Sequence, residues 1–230
     1  MPGWIDWYDS EHTIYVNARH RDVHFRRIAQ EIADYVPARS ATVVDYSCGE
    51  ALHAGIVADA CGRLFLAEPA PHVRARVAAR FADNPKIIAC ALEDIAALPD
   101  GAVDLVVMHS VAQYMSVAEL EAALATFRRI LKPQGALILG DILQPGVGAV
   151  TDALALLRFG LAEGFFPAAV LGLARTFFSD YRRLRSSLGL TRYGAGEMLA
   201  KLAAAGFAAA RVEKNIGHNP ARMTFIARPE

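Results

Sequence analysis

The most constraining feature of this chain is the segment 41–51, which reads ATVVDYSCGEA. Its apolar run ends in Asp45, and a tight turn that contains Gly49 follows. Further along, the apolar stretch Leu64–Ala67 ends in a second acid, Glu68. A buried strand, a tight turn, a helix and a second strand that ends in a carboxylate form the layout of a nucleotide-binding βαβ unit.

The acids of this turn argue against a bound phosphate. A turn that cradles a pyrophosphate presents glycine backbone N–H groups at a helix N-terminus, because the ligand is an anion. Asp45 and Glu50 would repel that anion. A cofactor with a cationic sulfonium and ammonium, and with ribose hydroxyls that need acceptors, fits this turn better. S-adenosylmethionine is such a cofactor, and a nicotinamide dinucleotide is the less favoured alternative.

The same turn resembles the first motif of class I S-adenosylmethionine-dependent methyltransferases, which runs hydrophobic-hydrophobic-Asp-x-Gly-x-Gly-x-Gly. Ser47 and Ala51 stand where the family has its first and third glycines. Both side chains are small, so we expect the close backbone approach of the turn to be kept. The resemblance implies that the cofactor is bound by the following residues of the turn: Asp45, Ser47, Cys48 and Gly49.

Three later segments resemble the same family in the same order. Glu68 follows Asp45 at close to the spacing of about 20 residues at which an acid on the second strand reaches a ribose, so we expect Glu68 and Pro69 to contact the cofactor. Residues 92–107 resemble the family's adenine-site loop and fourth strand. This likeness implies that Asp94 accepts the adenine amino group and that Ile95 packs on the ring.

The last matching segment, 127–139, is similar to the family's Leu-Lys-Pro-Gly-Gly turn into strand five. The matches together cover about residues 41–140. Strand and helix signals alternate along the chain, as in a doubly wound α/β protein. The resemblance implies a mostly parallel seven-stranded sheet, with the last strand antiparallel, an N-terminal helical lid and a helical insertion after strand five.

Length and composition predict one domain with four parts. These are an N-terminal lid and helix at 1–37, a cofactor-binding core at 41–143, a helical cap at 144–191, and a C-terminal helix with strands at 192–230. Within the core, Ser116 and Glu119 predict a capping box at the start of a helix.

Charge and cysteine usage exclude several classes of partner. The 24 basic and 24 acidic residues cancel, so the basic footprint of a nucleic-acid-binding protein is missing, and we expect no nucleic-acid substrate. The three cysteines form no close pair, which predicts small core residues rather than a zinc site or a disulfide. We therefore expect no metal. The first residues show no export signal, so a cytoplasmic location is expected.

The insertion at 144–191 contains the uncharged, apolar stretch Gly164–Ala174. It is shorter than the roughly 20 residues that span a bilayer. Three interpretations stay open: a cap packed on the domain, a surface for lipid or for a homodimer, or a wall of an apolar substrate pocket that includes Phe165 and Phe166. The lipid interpretation would use the nearby arginines, which are Arg175, Arg182, Arg183 and Arg185.

His109 ends the predicted fourth strand, at the carboxyl edge where ligands bind in open α/β sheets. It is the candidate general base for a hydroxyl acceptor, and the alternative is a hydrogen bond to the cofactor or to loop backbone. Ser110 is expected at the cofactor, and Gln113 and Tyr114 at the substrate.

The N-terminal segment is rich in aromatic side chains, namely Trp4, Trp7, Tyr8, His12, Tyr15 and His20. They predict either a lid over a flat acceptor or an ordinary packed cap. We expect Tyr15 to face the cofactor, and Tyr8 and His12 to face the substrate. The remaining histidines on helices, His24, His53 and His72, are expected on surfaces or helix faces, and Asn219–Pro220 is expected to form a turn.

The sequence therefore predicts a methyltransferase that uses S-adenosylmethionine and acts on a small aromatic or lipophilic molecule, with oxygen the favoured methyl acceptor. Two alternatives keep the fold. One is non-transfer chemistry, such as cyclisation, on the same cofactor. The other is a non-catalytic binding or regulatory protein, suggested by Ser47 and Ala51 in a motif that is usually richer in glycine.

Overall fold

The computed structural model describes residues 4–9, 15–177 and 189–230. The predicted roles of His12, Arg182, Arg183 and Arg185 fall outside these ranges.

A seven-stranded sheet forms the centre of the molecule. Its strands are β1 (Thr42–Tyr46), β2 (Arg63–Ala67), β3 (Ile87–Cys90), β4 (Val103–His109), β5 (Leu131–Ile142), β6 (Phe207–Val212) and β7 (Met223–Pro229). They lie in the order β3-β2-β1-β4-β5-β7-β6. Only the contacts of β7 with β5 and with β6 are antiparallel. The predicted mostly parallel sheet with an antiparallel last strand is confirmed.

Helices cover both faces of this sheet. They are α1 (Trp4–Asp9), α2 (Ala18–Ala33), α3 (Ala54–Ala60), α4 (Pro71–Arg80), α5 (Leu92–Ala96), α6 (Val117–Ile130), α7 (Ala149–Glu163), α8 (Phe166–Phe177) and α9 (Ala195–Ala204). The predicted capping box starts α6: the Ser116 hydroxyl accepts the Glu119 N–H at 3.3 Å, and the Glu119 carboxylate accepts the Ser116 N–H at 2.7 Å.

Alternating side chains along the strands build a core on each face of the sheet. On β4, Val106 joins the core beneath α6 with Phe127, whereas its neighbour Val107 joins the opposite core beneath α2 and α3 with Val57. All four side chains are at most 4% exposed. Because side chains alternate along a strand, the position of each residue determines on which face of the sheet its side chain packs.

The strand order reverses between β1 and β4, since β2 and β3 follow on one side and β5 on the other. In an open α/β sheet a crevice forms at the carboxyl ends of the two strands that flank such a reversal. Here those ends are Tyr46 of β1 and His109 of β4.

The insertion after β5 is a pair of helices, α7 and α8. One side of the pair packs on the domain through Phe159, Phe165 and Ala169, which contact Val23 of α2. The other side, here called the apolar face, exposes six large apolar side chains by 40–74%: Val150, Leu154, Leu161, Phe166, Val170 and Leu171. In the described ranges, no helix combines the length and hydropathy needed to cross a bilayer.

Candidate functional site

A cavity of about 800 Å³ opens at the carboxyl ends of β1 and β4. The turn after β1 and the end of β2 line one half of it, and α1 and α2 also contribute side chains to the cavity. The connection between β6 and β7, together with α7, lines the other half. The cavity therefore lies at the switch point of the sheet, where such folds bind ligands.

The turn after β1 holds a left-handed backbone at three alternate positions. The φ angles are 60° at Ser47, 61° at Gly49 and 42° at Ala51. These are the three positions at which the resembling motif has glycine. Ser47 and Ala51 adopt the same conformation at a cost of about 1–2 kcal/mol each, because a Cβ crowds the backbone there.

Gly49 is also the point of closest approach between this turn and the N-terminal segment. A Cβ added at Gly49 would lie 2.5 Å from the Tyr8 hydroxyl oxygen. The Gly49 N–H donates to the Glu68 carboxylate at 2.8 Å, and the Ala70 N–H donates to its other oxygen at 2.8 Å. Glu68 is 2% exposed, and this burial raises its pKa. Each carboxylate oxygen keeps a lone pair for a further donor.

Asp45 supplies a second acid on the same side of the cavity. Burial, and then the negative charge of Glu68, raise the pKa of Asp45 to about 7. A cation placed beside Asp45 would lower that pKa by favouring the carboxylate. The pair of acids, Glu68 buried and Asp45 partly buried, is thus chemically suited to a ligand that carries positive charge and hydroxyl groups.

Glu50 does not share this role. The Arg21 guanidinium of α2 contacts both of its carboxylate oxygens, at 2.6 and 2.7 Å, and Glu50 does not line the cavity. The sequence argument that Glu50 repels phosphate is therefore corrected, because α2 packs over the turn and supplies a neutralising charge. Asp45 and Glu68 carry the acidic character of the site.

Tyr8 and Tyr15 lie over the turn and line the cavity. Their side chains hydrogen-bond each other, and burial raises the pKa of both phenols. Asp9 anchors α1 to the start of α4 by accepting the His72 N–H at 2.8 Å and the Val73 N–H at 3.1 Å. Tyr8 and Tyr15, in the described part of the N-terminal segment, thus lie beside the acidic half of the cavity.

His109 and Ser110 follow at the end of β4, and both line the cavity. His109 Nε2 lies 3.1 Å from the Ile216 carbonyl oxygen, so this nitrogen carries the hydrogen and donates it. A Cβ at Gly140 would meet the His109 ring at 2.7 Å. The imidazole therefore packs against Gly140 of β5 and is hydrogen-bonded to the β6–β7 connection.

The two residues predicted to contact adenine, Asp94 and Ile95, lie in different environments. Asp94 is exposed, and its carboxylate accepts the Ala91 N–H at 2.8 Å. Ile95 is fully buried in the core beneath α6. Neither residue lines the cavity, whereas Pro69 and Leu92 do. Leu92 was missed because the family pattern places the contact later in this loop.

Of the residues predicted to contact the substrate, some line the cavity and others do not. Gln113 and Tyr114 line the cavity. Phe165 and Phe166 do not: Phe165 stacks on His20 with ring centroids 4.9 Å apart, and Phe166 lies on the apolar face. The insertion instead contributes other residues to the cavity, namely Ala149, Asp152, Ala153, Leu156 and Leu173.

The opposite half of the cavity contains residues that the sequence did not single out as site residues. His24 was expected on a surface or helix face, yet it lines the cavity beside His20, one turn earlier on α2. The spacing of these two histidines, four residues apart beside the buried Val23 and Phe25, was the available signal.

The β6–β7 connection supplies the remaining polar groups: His218, Asn219 and Arg222 all line the cavity. The Asn219 amide donates to the Asp152 carboxylate at 2.9 Å, and Arg222 donates to the same carboxylate at 2.8 Å. Asn219, in the predicted Asn219–Pro220 turn, therefore also links this connection to α7 through its hydrogen bond to Asp152.

In the described ranges, no group of three His, Cys, Asp or Glu side chains has an arrangement that could hold a metal ion. Cys48, Cys61 and Cys90 are free thiols, and Cys61 and Cys90 are buried.

Comparison with known proteins agrees with this geometry. Residues 44–139 match a family model described as a methyltransferase domain. No curated protein sequence matches the chain significantly.

Solved structures of methyltransferases share the fold at low sequence identity. A putative methyltransferase from Haloferax volcanii, solved in complex with the Trm112 methyltransferase activator, is 16% identical, with a TM-score of 0.65 and complete coverage of both chains. Magnesium protoporphyrin IX methyltransferase from Synechocystis, solved with bound S-adenosylmethionine, is 13% identical, with a TM-score of 0.57 and coverage of 97% of this chain and 88% of that one. Mitomycin 7-O-methyltransferase is 19% identical, with a TM-score of 0.59 and coverage of 91% and 56%.

Proposed function

We propose that this chain, of which residues 44–139 match a methyltransferase domain and which shares the fold of solved methyltransferases, is a class I S-adenosylmethionine-dependent methyltransferase. It transfers a methyl group to a small aromatic or lipophilic acceptor, with oxygen favoured as the accepting atom. The observation that carries this proposal is that one cavity is lined both by the acids Asp45 and Glu68, here called its acidic half, and by aromatic rings and imidazoles.

The acidic half suits the cofactor of this family. Asp45 would face the positively charged part of S-adenosylmethionine, and Glu68 would accept hydrogen bonds from the ribose. The close approach of Gly49 to Tyr8 leaves no room for a side chain, as expected where a turn and a lid enclose a ligand. When bound, the cofactor supplies an electrophilic methyl group on a sulfonium. The cofactor-binding roles of Tyr15, Ser47, Cys48, Pro69 and Ser110 belong to the same proposal.

The aromatic lining of the cavity favours a flat, largely apolar acceptor. Trp4, Tyr15, Phe25 and Tyr114 line the cavity, and the Trp4 and Tyr114 ring centroids are 4.5 Å apart. Aromatic walls bury large ring surfaces with little loss of side-chain entropy. Mitomycin 7-O-methyltransferase, which shares the fold, is by name an oxygen methyltransferase.

His109 is assigned to this site, and its bond to Ile216 favours a positioning role over that of a base. Its Nε2–H is already committed to backbone, which leaves Nδ1 as its acceptor nitrogen. His109→Ala is expected to lower turnover more than acceptor binding if Nδ1 takes a proton. Equal losses in both quantities would leave His109 a binding residue.

The alternative of a non-catalytic protein rested on Ser47 and Ala51. Both residues hold the left-handed backbone that the glycines of the motif provide, which favours a competent cofactor turn. The alternative of cyclisation is separated from transfer by its product, because only transfer of the methyl group leaves S-adenosylhomocysteine.

Calorimetric titration of S-adenosylmethionine and S-adenosylhomocysteine, with NADH as the control, tests the proposal directly. We expect micromolar binding of both adenosyl ligands and none of NADH. Asp45→Ala and Glu68→Ala should weaken binding by about tenfold or more without unfolding the domain. Unchanged affinity in both variants would remove the assignment of the acidic half to the cofactor. A screen of phenols for release of S-adenosylhomocysteine then identifies the acceptor.

Two interpretations of partners depend on the apolar face of α7 and α8. Peripheral membrane contact and a homodimer both require exposed apolar area, and this face provides it. The polar residues nearest to it include the exposed Arg158 and Arg175.

A further inference from the structure

Two imidazoles in the cavity differ from the other described histidines in having no hydrogen-bond partner. His20 Nδ1 accepts the Val16 N–H at 3.3 Å, and His109 Nε2 donates to Ile216. His53 and His72 each contact a carboxylate, at 2.8 and 2.7 Å. In contrast, the ring nitrogens of His24 and His218 make no hydrogen bond within the described ranges, although both side chains line the cavity.

Packing fixes the orientation of these two rings. His218 stacks on Phe159 with centroids 4.7 Å apart and an interplanar angle of 11°. His24 makes a tilted contact with Tyr15 and an edge contact with Phe25, with ring centroids 5.5 and 5.4 Å apart. Both side chains are partly buried and line the cavity, so ring nitrogens that are held in place there and have no protein partner in the described ranges are available to a ligand or to water.

The two elements that carry these rings are tied together. The Gly217 N–H, next to His218, donates at 2.6 Å to the carboxylate of Glu31, which lies on the same helix as His24. On the far side, the Asn219 amide donates to Asp152 of α7. The separation of the two rings is therefore set by the fold rather than by a bond between them.

Both rings are neutral at pH 7. Burial, and then the imidazoles of His218, His109 and His20, keep the pKa of His24 well below its usual value. Burial also lowers the pKa of His218; Arg27, Arg222 and His109 act in the same direction, and Asp141 opposes them. A neutral imidazole offers one donor and one acceptor nitrogen.

The distance between the rings suits a single oxygen atom. Their centroids are 6.1 Å apart and their planes are inclined at 67°. A hydrogen bond spans about 3 Å from ring nitrogen to oxygen, so a centroid separation of 6.1 Å is compatible with one oxygen that bonds a nitrogen of each ring. A hydroxyl both donates and accepts at one atom, and it would satisfy one acceptor and one donor nitrogen of the pair.

We propose that His24 and His218 together bind the hydroxyl group of the methyl acceptor, and that this hydroxyl is phenolic. The aromatic side chains around the pair, Tyr15 and Phe25 on α2 and Phe159 on α7, supply the surface for the ring that bears it. This inference rests on the proposed function, since it names the acceptor class of the same cavity.

The test compares phenol, anisole and aniline as ligands of the protein saturated with S-adenosylhomocysteine, by NMR titration at pH 7.5. Anisole keeps the ring and lacks the hydroxyl hydrogen. We expect phenol to bind about fivefold to tenfold more tightly than anisole and aniline, as for the gain of one or two hydrogen bonds. His24→Phe and His218→Phe keep an aromatic ring and remove the nitrogens. Each should reduce the preference for phenol, because one imidazole remains, and the double variant should abolish the preference and leave the affinity for anisole within about twofold.

His24→Gln and His218→Gln provide a second pair of variants, because an amide retains a donor and an acceptor. They should keep part of the preference for phenol, which a role limited to packing would not produce. Equal affinity of the wild type for phenol and anisole, a preference that survives both Phe substitutions, or tighter binding of aniline would each overturn the proposal. If S-adenosylhomocysteine itself does not bind, the proposed function fails first and the assignment of the pair falls with it.

Discussion

The Ser110 hydroxyl donates a 2.7 Å hydrogen bond to the Asp141 carboxylate, and both residues hold a left-handed backbone with a φ of 59°. They lie at the carboxyl ends of the adjacent parallel strands β4 and β5, where the pairing reaches His109 and Gly140. Strained backbone of this kind is retained where surrounding contacts fix it, and it is frequent at functional sites. The bond therefore joins two residues with a strained backbone that both line the cavity: Ser110, just after β4, and Asp141, near the end of β5.

This relationship predicts a difference between two substitutions of Ser110. Ser110→Ala removes the hydrogen bond and keeps the strain, whereas Ser110→Gly removes both. We expect the free energy of unfolding, measured in urea, to be about 1 kcal/mol higher for Ser110→Gly than for Ser110→Ala. A lower value for the glycine variant would show that the left-handed backbone is not strained here.

The cofactor turn should gain stability from glycine at the two positions where it lacks this residue. Ser47→Gly and Ala51→Gly each relieve a left-handed backbone, with φ of 60° and 42°. The free energy of unfolding is expected to rise by about 0.5–1 kcal/mol for each variant. This value is the relief of backbone strain minus the stability lost because glycine increases the entropy of the unfolded chain. The control Ala125→Gly, on the exposed side of α6, should lower it by about 1 kcal/mol.

Gly49→Ala tests the contact between the turn and the lid. The new methyl group would lie 2.5 Å from the Tyr8 hydroxyl oxygen. We expect the affinity for S-adenosylhomocysteine to fall by about tenfold or more in calorimetry, because the lid or the turn must move. Gly101→Ala is the matched control: its φ of 64° is similar and no atom lies within 4 Å of the new Cβ. It should lower stability without changing affinity, and equal losses of affinity in both variants would rule out the steric explanation.

Binding of the cofactor should release a proton near neutral pH. The pKa of Asp45 is raised to about 7 in the free protein, so its carboxyl is partly protonated there, and the cationic cofactor favours the ionised form. Affinity should therefore rise between pH 6 and pH 8. Calorimetry at pH 6.5 in buffers of different ionisation enthalpy measures the released proton, and Asp45→Asn should abolish the release. Proton uptake on binding would contradict the assigned role.

The same group affects stability with the opposite dependence on pH. Its folded pKa of about 7 lies above the unfolded value of 3.8, so the folded state binds more protons between these values. Stability of the free protein should decline as pH rises from about 4 to 7 and then level off. Asp45→Asn should flatten this decline in urea unfolding measured across the range. An unaltered slope would place the titration on another group.

The apolar face of α7 and α8 should promote self-association. Leu161 and Phe166 are 72% and 40% exposed on these helices, and several exposed large apolar side chains on one pair of helices favour an interaction surface. We expect light scattering to show a concentration-dependent increase in mass that Leu161→Ser with Phe166→Ser removes. Flotation with anionic vesicles, lost in the same variant while the mass stays monomeric, would instead assign the face to a membrane.

The sequence by itself determined the sheet and its cofactor turn. Strand alternation, the acid at the end of β1, and the second acid at the usual spacing are local patterns, and the family that they resemble has one topology. The capping box of α6 is likewise encoded within four residues, Ser116 to Glu119. Such features depend on neighbours in the chain, so they can be predicted without knowing what packs above them.

The composition of the proposed acceptor site follows from tertiary packing and not from local sequence patterns. His24 and His218 are far apart in the chain and carry no local motif, and they meet because Glu31 ties α2 to the β6–β7 connection. The Arg21–Glu50 ion pair and the packing of Phe165 with Val23 likewise depend on contacts between segments that are distant in the chain. Contacts between distant segments depend on how whole elements pack, which the periodicity of each element does not encode.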